Sequence, residues 1–411
     1  MTVIYTLIIA LYYIGILVSA PFNRKASRML TGRRSVFSQL RKGITKKEQW
    51  IWFHCASLGE FEQGRPVMDR LREERPGTGI LLTFFSPSGY EVRKDYPGAD
   101  LVCYLPFDFP WNVKKFISLV KPRMAVFVKY EFWRHYLKTV AHRGIPLYGI
   151  SVIIRENHPF LKWYGRSYRK VLHCFDHLFV QDEDSKKRLA RMGITRVSVA
   201  GDTRFDRVAD IAGQAKRIEW VERFASGSKI LVAGSTWPPD EEMLLKYLHE
   251  EKNPWKWIVA PHEIHEQHIR NILEQSLVPA CRYSKAGETN PEACRLLVID
   301  NIGMLSSLYR YASLAYVGGG FGRGIHNVLE AAVYGIPVVF GPRYRPFREA
   351  VELVKRGGGF AVNNYSELKT RFNILASQPE TITSSGKAAV TFVRESAGAT
   401  EKIVGKLLNS Y

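Results

Sequence analysis

Three segments place acidic or basic side chains directly behind apolar runs, where proton transfer or anion binding can be done. The first is HCASLGEFE, residues 54–62. It follows WIWFH and opens a helical pattern, so Glu60 falls near a helix N-terminus. A carboxylate there can take a proton from a hydroxyl, the general-base role. It can equally be a first-turn acid that complements the helix dipole. Ser57 and Gly59 suit a tight strand-to-helix turn. His54 and Cys55 are not a nucleophile pair, because neighbours on a strand face opposite ways. The second segment is KYEFW, 129–133, behind MAVFV. Glu131 can share a cleft with Glu60 or simply start a helix. The third is GDTRFD, 201–206, behind VSVA. Arg204 can hold a phosphate, or it can pair with Asp202 or Asp206.

The second half of the chain is richer in ligand-binding signals. Gly234, Ser235 and Thr236 close a strand pattern just before the acids 240–242 open a helix. Hydroxyls and backbone N–H groups at such a junction can bind an anion. Pro261 and His262 close the next strand. His262, His265 and His268 do not make HExxH, so no metal is expected there. His262 suits stacking on a ligand or hydrogen-bonding to it, and His265 and His268 suit structural roles. Around Ile302, Gly303 and Met304 the backbone can approach a base or ribose closely. The run YVGGGFGRGIHNVLEAA, 316–332, contains no GxGxxG in any register, so a dinucleotide cofactor is not indicated. Its glycines can cradle a single phosphate on backbone N–H groups. Asn327, Val328, Leu329 and Glu330 follow, and Glu330, one turn inside the next helix, can accept both hydroxyls of a ribose.

These residues need strand ends to hold them, and the pattern supplies strands in order. Apolar runs at 50–54, 79–85, 101–105, 124–128, 146–152 and 177–181 alternate with amphipathic stretches such as 63–74 and 111–120. The rhythm repeats at 229–234, 256–261, 295–300, 313–319 and 336–341. This is the βαβ signature of parallel sheets covered by helices on both faces. Two doubly wound domains facing a cleft are expected, with ligands at the carboxyl ends of the strands. Residues 206–228 carry few strand signals and read as an interdomain linker. The expected domains are therefore 48–205 and 229–411, with the last helix free to pack back on the first domain.

The N-terminus has a different chemistry. Residues 1–23 contain no charged side chain, and 3–20 form a continuous weakly polar to apolar run. That is close to the ~20 residues a bilayer-crossing helix needs. Nine basic residues and no acid follow between 24 and 47. The positive-inside rule then puts the rest of the chain on the cytoplasmic side. A cleaved signal peptide lacks its basic leading region here, and a buried helix or strand is the remaining rival. The expectation is a membrane anchor over 1–22 and a basic segment over 23–47, attracted to anionic head groups.

Composition agrees with a globular, anion-seeking chain. The 411 residues are 46% hydrophobic and 24% charged, with a net charge of +20. That excludes wholesale disorder and points to an anionic partner. Five scattered cysteines without a CxxC give no disulfide framework. No RNP, helix-turn-helix or zinc-finger pattern appears, so nucleic acid is not an expected partner.

The Gly-rich loop followed by HNVLEAAVYGIPVVFG resembles the donor-nucleotide segment of GT-B glycosyltransferases. HCASLGE, KYEFW, VQDEDSKKRLARMGI, GDTRFD, GSTWPPDEE, the PHE turn, DNIGML and YVGGGFGRGIHNVLEAA occur in the order of the 3-deoxy-D-manno-octulosonic acid (Kdo) transferases that act on lipid A. The resemblance covers roughly residues 1–400. It implies a GT-B fold whose first domain binds the lipid acceptor and whose second binds CMP-Kdo. It implies Glu60 as general base, Glu131 and Arg204 at the transition state, and CMP contacts from Pro261 and His262, from 302–304 and from 327–330. It further implies inversion by direct displacement, no cofactor, and an inner-membrane enzyme acting at the cytoplasmic face on a lipid A precursor (lipid IVA). The chain departs from the family pattern at Lys129, Arg204, His262 and Met304, where an acid, Lys, Arg and Glu are usual. The alternative from the residues is another GT-B enzyme using a different sugar nucleotide on a membrane-bound acceptor.

Overall fold

A computed structural model describes residues 2–410 except Ser167, Lys216 and Lys252. The chain forms two compact units, Met1–Arg207 with Ala397–Tyr411, and Val208–Ser396.

Unit 1 is built on a parallel seven-stranded sheet. Its strands are β1 (Trp50–Cys55), β2 (Gly79–Phe84), β3 (Leu101–Tyr104), β4 (Met124–Val128), β5 (Leu147–Val152), β6 (His177–Val180) and β7 (Val197–Val199), in the order β3-β2-β1-β4-β5-β6-β7. β1, β2, β4 and β5 are buried along their whole length, which is why they read as unbroken apolar runs. The two-residue period splits β1 cleanly. Trp50 and Trp52 enter the core on one face, while Ile51, Phe53 and Cys55 enter the other.

Before the sheet come α1 (Thr2–Ser19), α2 (Arg24–Arg34) and α3 (Val36–Gly43). Asn23 caps α2 by accepting the Lys25 and Ala26 N–H groups. Arg33 departs from the expectation that the basic segment is a free lipid-facing surface. Its guanidinium donates to the carbonyls of Leu105, Met29 and Phe85 at 2.6–2.8 Å, above the rings of Phe85 and Phe107. Burial lowers its pKa to about 10.

Unit 2 repeats the architecture with β8 (Ile230–Thr236), β9 (Lys256–Pro261), β10 (Ala280–Arg282), β11 (Leu296–Val298), β12 (Leu314–Val317), β13 (Val338–Phe340) and β14 (Gly359–Ala361). The order is β10-β11-β9-β8-β12-β13-β14, again all parallel.

Residues 206–228 are not a linker. They carry most of the helix Arg204–Gln214 and all of Glu219–Ala225, and Val208, Val221 and Phe224 are buried. The boundary falls inside the first of these helices, between Arg207 and Val208. The chain then returns to unit 1 at its end. Asp206 accepts from the N–H of Gly398 and from the N–H and hydroxyl of Thr400. The helix Ala399–Asn409 packs Ile403, Val404 and Leu407 into the core that holds Phe61, Val67 and Leu71.

Candidate active site

In each unit the strand order reverses direction beside the first strand, between β1 and β4 in one and between β8 and β12 in the other. Open α/β sheets bind ligands at this crevice, because the two flanking helices leave in opposite directions there. In unit 1 the segments ending β1 and β4 are those that carry Glu60 and Glu131.

Glu60 lies in the first turn of the helix Leu58–Glu74, which we label α4, and is only 8% exposed. Its carboxylate accepts from the Ala56 N–H. Burial, then the charge of Glu131, push its pKa up to about 8 against the pull of that N–H and of Lys129. Ser57 is the extended N-cap residue. Gly59 sits inside α4 with open space around it, so the turn does not need its glycine. Strain appears instead at Lys129, which closes β4 with φ +66°. Non-glycine residues held there cluster at functional sites. Burial and the neighbouring Arg204 lower the Lys129 pKa.

Glu131 stands in the loop before the helix Arg134–His142. Its Oε2 accepts from Trp133 Nε1 at 2.6 Å and lies 3.2 Å from His54 Nε2. The ring of His54 is fully buried, with Nδ1 2.9 Å from the Thr83 hydroxyl. His54 and Trp133 are neighbours of Glu131 that strand-and-helix patterning does not reveal. Only the inward alternation of β1 hints that His54 points under the site.

Arg204 pairs with Asp202, not Asp206, at 2.7 and 2.9 Å. Burial opposes ionisation of Asp202, but Arg204 and its hydrogen bonds outweigh it and hold the carboxyl below the usual range. Gln63 of α4 donates to Asp202 and accepts from the Thr203 hydroxyl, which ties this segment one turn from Glu60. One edge of the unit 1 sheet therefore gathers the carboxylates of Glu60, Glu131 and Asp202 with the cations Lys129 and Arg204.

The unit 2 crevice is built on Ser235 and Thr236. Ser235 is strained, with φ +52°. Gly318, after β12, comes so close that a Cβ there would stand 2.4 Å from the Ser235 carbonyl oxygen. Thr236 is buried and its hydroxyl donates to Glu241, which also meets His268 Nε2 at 2.7 Å. Its side chain is thus structural rather than available to an anion, and His268 is held by the same carboxylate. Asp240 ties the crevice together by accepting from Tyr316, Gly319 and Trp237.

Above Pro261, His262 is exposed and stacks on both Trp237 at 4.8 Å and His326 at 4.4 Å, which are joined by a hydrogen bond from Trp237 Nε1 to His326 Nε2. Burial, then His262, depress the His326 pKa to about 4, so its ring is neutral near pH 7. Neither Trp237 nor His326 stood out in the sequence. Asn327 donates to Glu330 at 3.0 Å. Val328 and Leu329 turn their side chains into the core. The helix here is only Leu329–Ala332, so Glu330 lies in its first turn rather than one turn inside. Ile302 and Gly303 are exposed on the loop after β11, with Met304 beside them.

Two parallel sheets, each with polar groups at its switch point, define a GT-B-like fold of two Rossmann-like units. A UDP-GlcNAc 2-epimerase from Neisseria meningitidis bound to UDP-GlcNAc shares the fold, with TM-score 0.60 and 16% identity over 88% of this chain and 100% of that one. Residues 31–207 match the family model of 3-deoxy-D-manno-octulosonic-acid transferase (kdotransferase). The 3-deoxy-D-manno-octulosonic acid transferase of Aquifex aeolicus is 30% identical over 335 residues, 80% of this chain and 86% of that protein. That of Chlamydia pneumoniae is 27% identical over 381 residues, 88% and 85% respectively. The chain belongs to the 3-deoxy-D-manno-octulosonic acid transferase family and is a glycosyltransferase.

Proposed function

We propose that the protein transfers Kdo from CMP-Kdo to a sugar hydroxyl of a lipid A precursor in lipopolysaccharide core biosynthesis, with inversion and with Glu60 as general base. The observation that carries the proposal is the burial of the Glu60 carboxylate beside Glu131 at the unit 1 switch point, which raises its pKa. A base with a pKa near 8 holds an abstracted proton far better than an ordinary glutamate.

The donor's anomeric carbon is tertiary and carries a carboxylate, so positive charge develops as the bond to CMP breaks. We assign stabilisation of that charge to Glu131, which Trp133 holds beside His54. Arg204 and Lys129 put positive charge at the unit 1 switch point, which favours loss of an anion. On unit 2, the strained Ser235 backbone and the glycine loop offer N–H groups to the donor phosphate. The exposed His262 ring, backed by Trp237 and His326, offers a stacking face for the cytosine, and Glu330 with Asn327 suits the ribose. Pro261 and the 302–304 backbone complete the proposed nucleotide contacts. A monophosphate leaving group needs less charge neutralisation than a diphosphate, and we propose that transfer needs no metal.

The apolar helix α1 and the basic segment behind it support attachment to the cytoplasmic face of an anionic inner membrane. The test is donor competition together with Glu60→Gln. CMP, rather than UDP or GDP, is expected to protect the protein, and the variant is expected to bind CMP yet fail to transfer. Protection by UDP or GDP alone would move the assignment to another sugar nucleotide.

A further inference from the structure

The proposed membrane attachment leaves open how α1 meets the bilayer, and the packing of α1 speaks to this. One stripe of the helix is in contact with unit 1 from its first turn to its last. The Tyr5 hydroxyl donates to Asp108 at 2.7 Å. The Thr6 hydroxyl lies 3.0 Å from His135 Nε2. Tyr13 packs edge-on against Phe107 and Phe109 at 5.0 and 5.9 Å. Ile9 and Ile16 are buried in the same cluster, with Ala26 and Met29 of α2. Asp108 is 1% exposed, and its other donors are the backbone N–H groups of His135 and Tyr136. Tyr5 therefore completes the hydrogen bonding of a buried carboxylate.

Among the described residues nothing packs on the opposite stripe, which is apolar. Val3, Ile4, Leu7, Ile8, Leu11, Ile14, Leu17 and Val18 are 44–71% exposed. The chain continues this surface with Phe22 at 92%, and Trp111, stacked on Phe109, adds a further 63% exposed ring. Beside it Arg24, Lys25, Arg28, Arg34, Arg41 and Lys42 are exposed, with no acid anywhere in residues 1–47. An apolar face edged by cations matches the boundary between acyl chains and anionic head groups.

We infer that α1 lies in the plane of one leaflet, docked lengthwise on unit 1, and does not cross the bilayer. This rests on the reading of α1 as the membrane contact. An 18-residue helix is about 27 Å long, close to the full hydrocarbon thickness. A crossing helix would carry Tyr5 and Thr6 to the far side and strip Asp108 of its hydroxyl donor. The in-plane helix keeps these contacts, and protein covers the stripe that a free interfacial helix would have to make polar. It also brings lipid to the site. Tyr12 stacks on Phe85 at 6.2 Å, Phe85 stacks on Trp133 at 4.5 Å, and Trp133 donates to Glu131.

The test uses the full chain in its native membranes. Thr6→Cys with His135→Cys is treated with a short bis-maleimide. Separately, Thr2→Cys and Ser38→Cys are labelled with an impermeant maleimide in sealed vesicles of each orientation, with wild type as background for the five native cysteines. The expected result is an intramolecular cross-link, and any labelling of Thr2→Cys from the same side as Ser38→Cys. Labelling of Thr2→Cys from the opposite side, or no cross-link, overturns the in-plane placement while leaving the anchor standing. Recovery of the protein entirely in the soluble fraction overturns both.

Discussion

Replacing Glu60 with glutamine is expected to abolish transfer and, at alkaline pH, to make the folded chain more stable. The native carboxyl is held near pKa 8 against an ordinary 4.5, a difference worth roughly 5 kcal/mol against ionisation. The folded state therefore binds more protons than the unfolded state between about pH 4.5 and 8. Stability falls as pH rises through that window. The amide of the Glu60→Gln variant would keep an oxygen for the Ala56 N–H and has no proton to lose, so the fall disappears in the variant. Melting in detergent should show the two proteins nearly equal at pH 5. At pH 9 the variant should lead by several kcal/mol, on the order of 10 °C in a unit of this size. The wild-type rate has the mirrored dependence. About a tenth of Glu60 is ionised at pH 7 and about half at pH 8, so kcat/KM should rise roughly fivefold between them. A flat rate profile over this range, or a variant that loses more stability at pH 9 than at pH 5, would refute the reasoning about Glu60.

Glu131→Gln removes the second cause of that high pKa, so the residual activity should titrate at lower pH than in wild type, with a reduced kcat read from the same profiles. Arg204→Ala takes the charged hydrogen-bond donor from buried Asp202 and should cost about 2 kcal/mol at neutral pH. Asp202 is held below its ordinary range, so its contribution is present above that range and lost as pH falls through its folded pKa. Melts at pH 7 and pH 3 should show the difference shrinking. His262→Ala should weaken CMP binding by about three- to tenfold through lost stacking, measured by titration calorimetry, with no change in melting. Gly318→Ala places a methyl against the Ser235 carbonyl and should destabilise unit 2 by about 1–3 kcal/mol, again readable by melting.

Much of the fold could be read from the chain because parallel strands buried on both faces leave continuous apolar runs. β1, β4, β5, β8 and β9 stand out for that reason. β10 and β14 do not, since these edge strands are only partly buried and leave no apolar run to read. The helices within 206–228 were hidden by the same habit, because a segment without strands resembles a linker until Val208, Val221 and Phe224 are seen to be buried. Glu60, Glu131 and Arg204 could be picked out as residues behind strand ends. That β1 and β4 are neighbours depends on where the crossovers reverse, and periodicity says nothing about that. His54 beneath Glu131, Trp237 and His326 around His262, and the inward Thr236 hydroxyl all depend on which side chains meet across strands. The strain at Lys129 and Ser235 was invisible for a different reason, since positive φ is looked for at glycine. Arg33 looked like one of nine lipid-facing cations, yet carbonyls of three segments bind it inside unit 1.

The most direct test of the central claim is transfer of labelled Kdo from CMP-Kdo, generated in the assay, to a tetra-acylated lipid A precursor. Wild type and Glu60→Gln are compared in detergent with a chelator present. The account predicts transfer by wild type and none by the variant, with CMP bound equally by both. Transfer by Glu60→Gln at the wild-type rate would contradict the assignment of the base, and a folded wild type that neither binds CMP nor transfers Kdo would contradict the function itself.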